Sequence, residues 1–330
     1  MKNFLTNISE PERLRYKRYA KTGTAVLYSL FRFLMLMSIG FIIIYPLFYM
    51  IVTSLVSGEA YRNSTRVWIP TDFDIIQNYT RALNVLEYGA SLLDTVKFQI
   101  VSALIEVASC AVIGYGFARF DFKGKKTFTA ILFLTILVPD MMLMIPRMLN
   151  YTHLDFFGIL GLASRLTGVD IRPNVLNTGW AFWLPSLLGI GLKSGILIYI
   201  YIQFFKGLPR ELEEAAWVDG AGPIRTFISI AIPSSSVVFI TVFVFSMIWH
   251  WNDSLLSSMY LTNDFPLANR LAMIESAMVQ KYLLAIRSKN PESAALLMAA
   301  CLLFIAPMLI MYMIVQRGFI ESIDRVGITG

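Results

Sequence analysis

The chain has 330 residues, 56% of them hydrophobic and only 15% charged, with a net charge of +6. A soluble domain carries about a quarter charged residues, so this composition, with a mean hydropathy of +0.62, excludes an ordinary soluble domain. No stripe of Lys and Arg with interleaved aromatics lies outside the flanks of the apolar runs. That argues against a nucleic-acid surface and places the basic charge beside a membrane.

In chain order, residues 1–27 form a polar, basic N-terminal segment. Its stretch EPERLRYKRYAK (Glu10–Lys21) reads either as a short interfacial helix or as a basic tail. The first apolar run, Tyr28–Val56, is longer than a signal-peptide core and lacks a clear small-residue cleavage site, so it is expected to remain as a helix. Five more runs follow at Thr95–Ala118, Thr127–Leu149, Leu187–Phe205, Ser234–Leu256 and Ser293–Gln316. About 20 apolar residues in a helix cross a bilayer. The expected fold is therefore an all-α polytopic membrane protein with six transmembrane helices over residues 28–320 and a tail at 321–330. With the N-terminus inside, the inner segments hold 15 Lys and Arg, against 10 in the longer outer segments. The positive-inside rule then puts both termini in the cytoplasm.

Chemistry-bearing residues are sparse. Cys110 and Cys301 lie within apolar runs, which argues against a structural disulfide, and His153 and His250 stand apart without the spacing of a metal site. Charges inside a membrane are costly, so Glu106 in span two and Asp140 beside Pro139 in span three become pathway candidates. Glu106 could face a pathway, pair with another subunit, or sit protonated in a packed core. Lys97 and Lys193 are expected to snorkel to the interface. Trp180, Trp183, Trp249 and Trp251 fit an interfacial aromatic belt. Trp251, Asn252 and Asp253, at the outer end of span five, join the pathway candidates. The run MMLMIPRM (Met141–Met148) suits deformable packing around a helix broken by proline.

The segment 206–233 falls between spans four and five, on the cytoplasmic side in this orientation. Pro209 can open a helix, ELEEAAWVD supplies strong helix formers with acid in the first turns, and Gly220, Gly222 and Pro223 end it. A second short helix then leads to Pro233. Ala215 and Ala216 leave a face with little bulk, suited to docking in a partner's groove.

This stretch resembles the EAA loop of ABC-importer permeases. Glu214-Ala215-Ala216, three residues, Gly220, nine residues and Ile230-Ala231-Ile232-Pro233 match its seven defined positions, with Ile232 where the pattern has Leu. GYGFARFDFKGKK (Gly114–Lys126), VPDMMLMIP (Val138–Pro146) and WNDSL (Trp251–Leu255) resemble segments of one branch, the carbohydrate-importer permeases similar to maltose-type systems. The resemblance covers about residues 28–320. It departs at Phe156–Pro173, which looks like an insertion in an outer loop, and at Glu106, where span two is usually uncharged.

The resemblance implies a type I ABC-importer permease fold. It also implies a second permease, in an expected heterodimer with a homodimer as the alternative, two cytoplasmic ATPases docked on the EAA loops, and an extracytoplasmic binding protein that delivers a carbohydrate. Glu213, Glu214, Ala215, Ala216, Asp219 and Gly220 would couple to the ATPase. The chain lacks a G-x-x-x-x-G-K-[ST] loop, so ATP and Mg would be held by the partner ATPase, and no cofactor is expected on this chain. The residues alone also admit a self-contained secondary carrier or channel. Such a protein would normally show inverted repeats or a mid-membrane ion constellation, and neither is visible in the sequence.

Overall fold

The computed structural model describes the backbone of residues 10–57, 72–156, 158–283 and 291–327, and the side chains of 25–57, 72–156, 158–283 and 292–316. Residues 1–9 of the N-terminal segment, 328–330 of the tail and residue 157 of the insertion lie outside the described residues. Among these the structure is helical, apart from an isolated bridge between Val56 and Phe73.

The first helix, α1 (Glu10–Leu55), is continuous for 46 residues, so no separate interfacial helix precedes the first span. At 1.5 Å per residue it is about 70 Å long, well beyond a bilayer core. A short helix α2 (Ile75–Leu86) follows, and then α3 (Tyr88–Arg119), a second long rod. One π-helical turn at Thr95–Ile100 widens α3 internally. π turns insert a residue into the helical repeat and often mark functional sites.

The third expected span is broken. α4 (Lys125–Leu137) and α5 (Asp140–Thr152) meet at 101°. Pro139 has no N–H to continue the ladder and pushes Val138 into the extended region, with φ −74° and ψ 120°. After α6 (Ile159–Thr167) and α7 (Trp180–Leu187), the fourth expected span also departs from its prediction. Its helix α8 (Ser194–Gly207) begins seven residues after Leu187 and has 14 residues, about 21 Å. Gly189 at φ +70° and Lys193 at φ +63° turn the intervening chain.

Helix α9 (Glu211–Val218) and α10 (Pro223–Ser234) form the expected pair of short helices. α10 meets α11 (Ser236–Trp251) at 83°, at Ser235 just after Pro233. The chain ends through α12 (Leu255–Tyr260), α13 (Leu267–Ala272), α14 (Ile274–Tyr282) and the long α15 (Pro291–Gly327). Among the described residues, three helices are long and apolar enough to cross a membrane: Ala25–Leu55 within α1, α3, and Glu292–Gln316 within α15. The number rises to five if each bent pair counts as one span.

The core centres on α3, which packs against α7, α8 and α11. Contact with α8 is closest at Gly114, where an added Cβ would stand 2.4 Å from that of Tyr201. Small residues let membrane helices approach in this way. Cys110, Leu197, Tyr201, Phe205 and Val242 fill the junction of the three helices. A second apolar cluster joins α2, α13, α14 and α15 around Leu86, Leu267, Met278 and Leu296. α1 packs on α15, yet the apolar window of its Ala25–Leu55 span buries none of its residues within the chain. A helix that is apolar all round must meet lipid or another protein.

Candidate functional site

Two sites emerge, one at the C-terminal end of α3 and one along its middle. The first is built on α9. Its three first-turn acids, Glu211, Glu213 and Glu214, complement the helix dipole. The helix stops at Gly220, whose φ of +79° is open to glycine at little steric cost. There the Gly220 N–H donates to the Trp217 carbonyl at 3.0 Å and the Ala221 N–H to that of Ala216 at 2.9 Å.

Glu213 turns inward. Its carboxylate accepts from Arg119 Nε at 2.8 Å, and both side chains are only 4% exposed. Arg119 Nη2 also donates to the Leu208 carbonyl at 3.0 Å. The pair fastens α9 to the end of α3. Glu213 was expected to face a partner; its carboxylate is instead occupied inside the chain. Glu214, Ala215, Asp219 and Gly220 are exposed, and Ala216 is half-buried. Beside them Leu212, Trp217, Val218, Ile224 and Ile228 expose apolar surface, Val218 at 87%. Arg119 was quoted in the sequence motif without a role, and its burial against Glu213 supplies one.

The second site is a buried polar chain. Glu106, fully buried, accepts hydrogen bonds from Ser194, from Ser246 at 3.0 Å and from His250 Nε2 at 2.9 Å. His250 Nδ1 faces Gln99 Oε1 at 3.3 Å. Both ring nitrogens therefore face side-chain oxygens, and at least one of them donates. Gln99 continues the chain by donating to Ser257 and to Asp253 at 3.4 Å. Four segments contribute: α3, the start of α8, α11 and the turn into α12. Gly191 makes room for the acid, since a Cβ there would stand 2.7 Å from Glu106 Oε1.

A small cavity of about 20 Å³ adjoins this chain. Gln99, His250, Asp253, Ser186, Tyr260 and Arg147 are among its walls. Next to it an open groove of about 240 Å³ runs between α4, α5 and the start of α8, with Asp140, Arg147 and Lys193 in its lining.

The other sequence candidates fall as follows. Asp140 binds Lys193 at 2.7 Å. Lys97 meets Asp264 at 3.3 Å and lies over the Phe98 ring at 4.5 Å. Both lysines, expected to snorkel, are part-exposed and each has a carboxylate partner. Trp251 leaves the expected belt: it is buried against Phe304, with its indole N–H donating to the Phe304 carbonyl at 3.2 Å. Asn252 is exposed and donates to the Ile248 carbonyl at 2.8 Å. Among the pathway candidates, the polar chain thus gathers Glu106 and Asp253, while Asp140 lies in the groove. Sequence reasoning set His250 aside and passed over Gln99. The available signal was His250 as the one ionisable residue in the apolar run of α11.

A helical membrane protein with a broken span, a short paired-helix segment and a polar core belongs to the class of multi-pass transport subunits. Residues 111–325 match the family described as Binding-protein-dependent transport system inner membrane component, and the chain belongs to that family. It is 28% identical over 187 residues to the Alpha-glucoside transport system permease protein AglG of Rhizobium meliloti, covering 56% of this chain and 44% of that protein. It is 27% identical over 286 residues to the Diacetylchitobiose uptake system permease protein NgcG of Streptomyces coelicolor, covering 86% of this chain and 83% of that protein. A crystal structure of a bacterial ABC transporter involved in the import of the acidic polysaccharide alginate has a chain with the same fold. The TM-score is 0.61 at 19% identity, over 92% of this chain and 97% of that one. The chain is therefore a permease subunit, and the reading as a self-contained carrier gives way to it.

Proposed function

We propose that this chain is one of two permeases in an ATP-driven importer that takes up a carbohydrate from an extracytoplasmic binding protein. It crosses the cell membrane six times with both termini in the cytoplasm, the bent pairs and the short α8 each serving as a span. It has no ATPase site of its own. ATP and Mg belong to the ATPase that docks on α9.

The observation that carries this reading is the anchoring of α9. A short helix with a small exposed face, Glu214–Ala215–Ala216, stands beside exposed Trp217 and Val218 and is bolted to α3 by a buried ion pair. An apolar patch of this kind on an anchored element suits a protein partner. A partner that moves α9 moves the end of α3 with it. The saccharide substrates named for the relatives support a carbohydrate as the cargo.

The test is affinity purification in mild detergent from the native host, with identification of the proteins retained. Wild type should retain an ATPase and a second permease. Glu214→Lys and Gly220→Trp should lose the ATPase and keep the permease. A wild-type chain that folds and emerges alone, with variants behaving identically, would reduce α9 to a connector.

A further inference from the structure

Arg147 stands on α5 where the cavity and the groove meet, half-buried and lining both. The carboxylates nearby are already taken. Lys193 holds Asp140 at 2.7 Å. Asp253 accepts from the Leu256 amide at 3.1 Å, the Ser257 hydroxyl at 3.2 Å and the Gln99 amide at 3.4 Å. No ion pair or hydrogen bond among the described residues reaches the Arg147 guanidinium. It does lie near enough to act electrostatically on the Tyr151 and Tyr260 hydroxyls.

The same cavity has a second surplus. The hydroxyls of Tyr260 and Ser186, on residues 3% and 1% exposed, lack any hydrogen-bond partner. Buried polar groups are almost always paired, and the half-buried Arg147 cation faces the same cavity. An oxyanion is suited to all three groups, since it can take the planar fork of the guanidinium and offer lone pairs to hydroxyls.

We propose that Arg147, Tyr260 and Ser186 form a subsite for an anionic group, a carboxylate or phosphate, carried by the solute. The cavity has room for about one water-sized group, enough for a terminal oxygen. The groove of about 240 Å³ leaves space for the sugar ring behind it. The cargo is then an acidic saccharide. This rests on the groove facing the solute pathway of the proposed importer.

The experiment titrates the purified complex in nanodiscs with glucuronate, glucose 6-phosphate and glucose, by calorimetry. One charged probe should bind about tenfold more tightly than glucose, and which one does so separates carboxylate from phosphate. Arg147→Gln should abolish the preference, and Arg147→Lys should keep part of it. If Arg147→Gln does not assemble, wild type is compared with Arg147→Lys, where the preference must fall while glucose binding holds. Equal binding of all three probes, no binding of either charged probe, or an unchanged preference in the variants overturns the subsite. Loss of the second permease from both variants would make Arg147 an interface counter-ion and also overturns it. Retention of the ATPase is scored on the same samples, so failure of the importer reading is seen separately.

Discussion

Glu106 has both oxygens occupied and no contact with solvent. A carboxylate in such a place is tolerable only when paired and hydrogen-bonded. Removing one partner leaves the other polar group buried without its hydrogen bond, which costs about 1–3 kcal/mol. Glu106→Ala and His250→Ala should therefore each lower the thermal unfolding midpoint of the purified complex. The double variant should recover part of the loss, because neither partner is left facing an empty site. Additive losses in that cycle would show that the two do not act as a pair. The sequence displayed the acid plainly, since a charge inside an apolar run stands out. It could not display the base, because 144 residues separate them and only the packing of α3 on α11 brings them together. The same limit hid the partner of Lys193, where the bend at Pro139 brings Asp140 within reach.

At the scale of elements, legibility followed local chemistry. The α9 helix, its glycine stop and the proline-led α10 could be read because each depends on a few adjacent residues. The third span was read as one run with its proline break in Met141–Met148, but Pro146 lies inside α5 and the bend falls at Pro139. The fourth span was misjudged at its start. Hydropathy alone cannot tell an apolar helix from an apolar turn, and the turn here depends on Gly189 and Lys193 adopting positive φ and Gly191 sitting against Glu106. Packing between α3 and α8 allows a sharp test. Gly114→Leu would place a side chain where Tyr201 already stands and force the helices apart. Overpacking of this kind costs about 1–3 kcal/mol, and more is expected here because the contact is with Cβ, which cannot swing away. The variant should yield little folded protein by size-exclusion chromatography, while Gly116→Leu, with open space around it, should behave as wild type. Equal yields from the two would refute close contact between α3 and α8.

For the whole molecule, the proposed orientation rests on the distribution of the basic segments. Single cysteines at Lys123 and Arg165, in a chain lacking Cys110 and Cys301, should react with a membrane-impermeant maleimide from opposite sides. In intact cells the one at 165 should label, and the one at 123 should label only after permeabilisation. The reverse pattern would invert the topology and remove α9 from the reach of a cytoplasmic ATPase. Outside the span helices, the Asp170–Arg172 pair orders the end of the inserted loop, with Asp170 held well below the usual carboxylate range by hydrogen bonds from Arg172. A depressed acid contributes at neutral pH and loses its contribution only as pH falls through its folded value. The loop should therefore keep its form through mild acid.

One helix carries both sites. Gln99 and Glu106 lie along α3, and Arg119 lies at its end, thirteen residues and about 20 Å beyond Glu106. No proline interrupts that stretch, and its only irregular turn, Thr95–Ile100, lies at the Gln99 end. Between the acid and the anchor the helix is a connecting rod. If a partner docks on α9 as proposed, a pull on Glu213 would travel along this rod to Glu106, and the contact of His250 with Gln99, beside the π turn, is where the stroke would first be felt as a break.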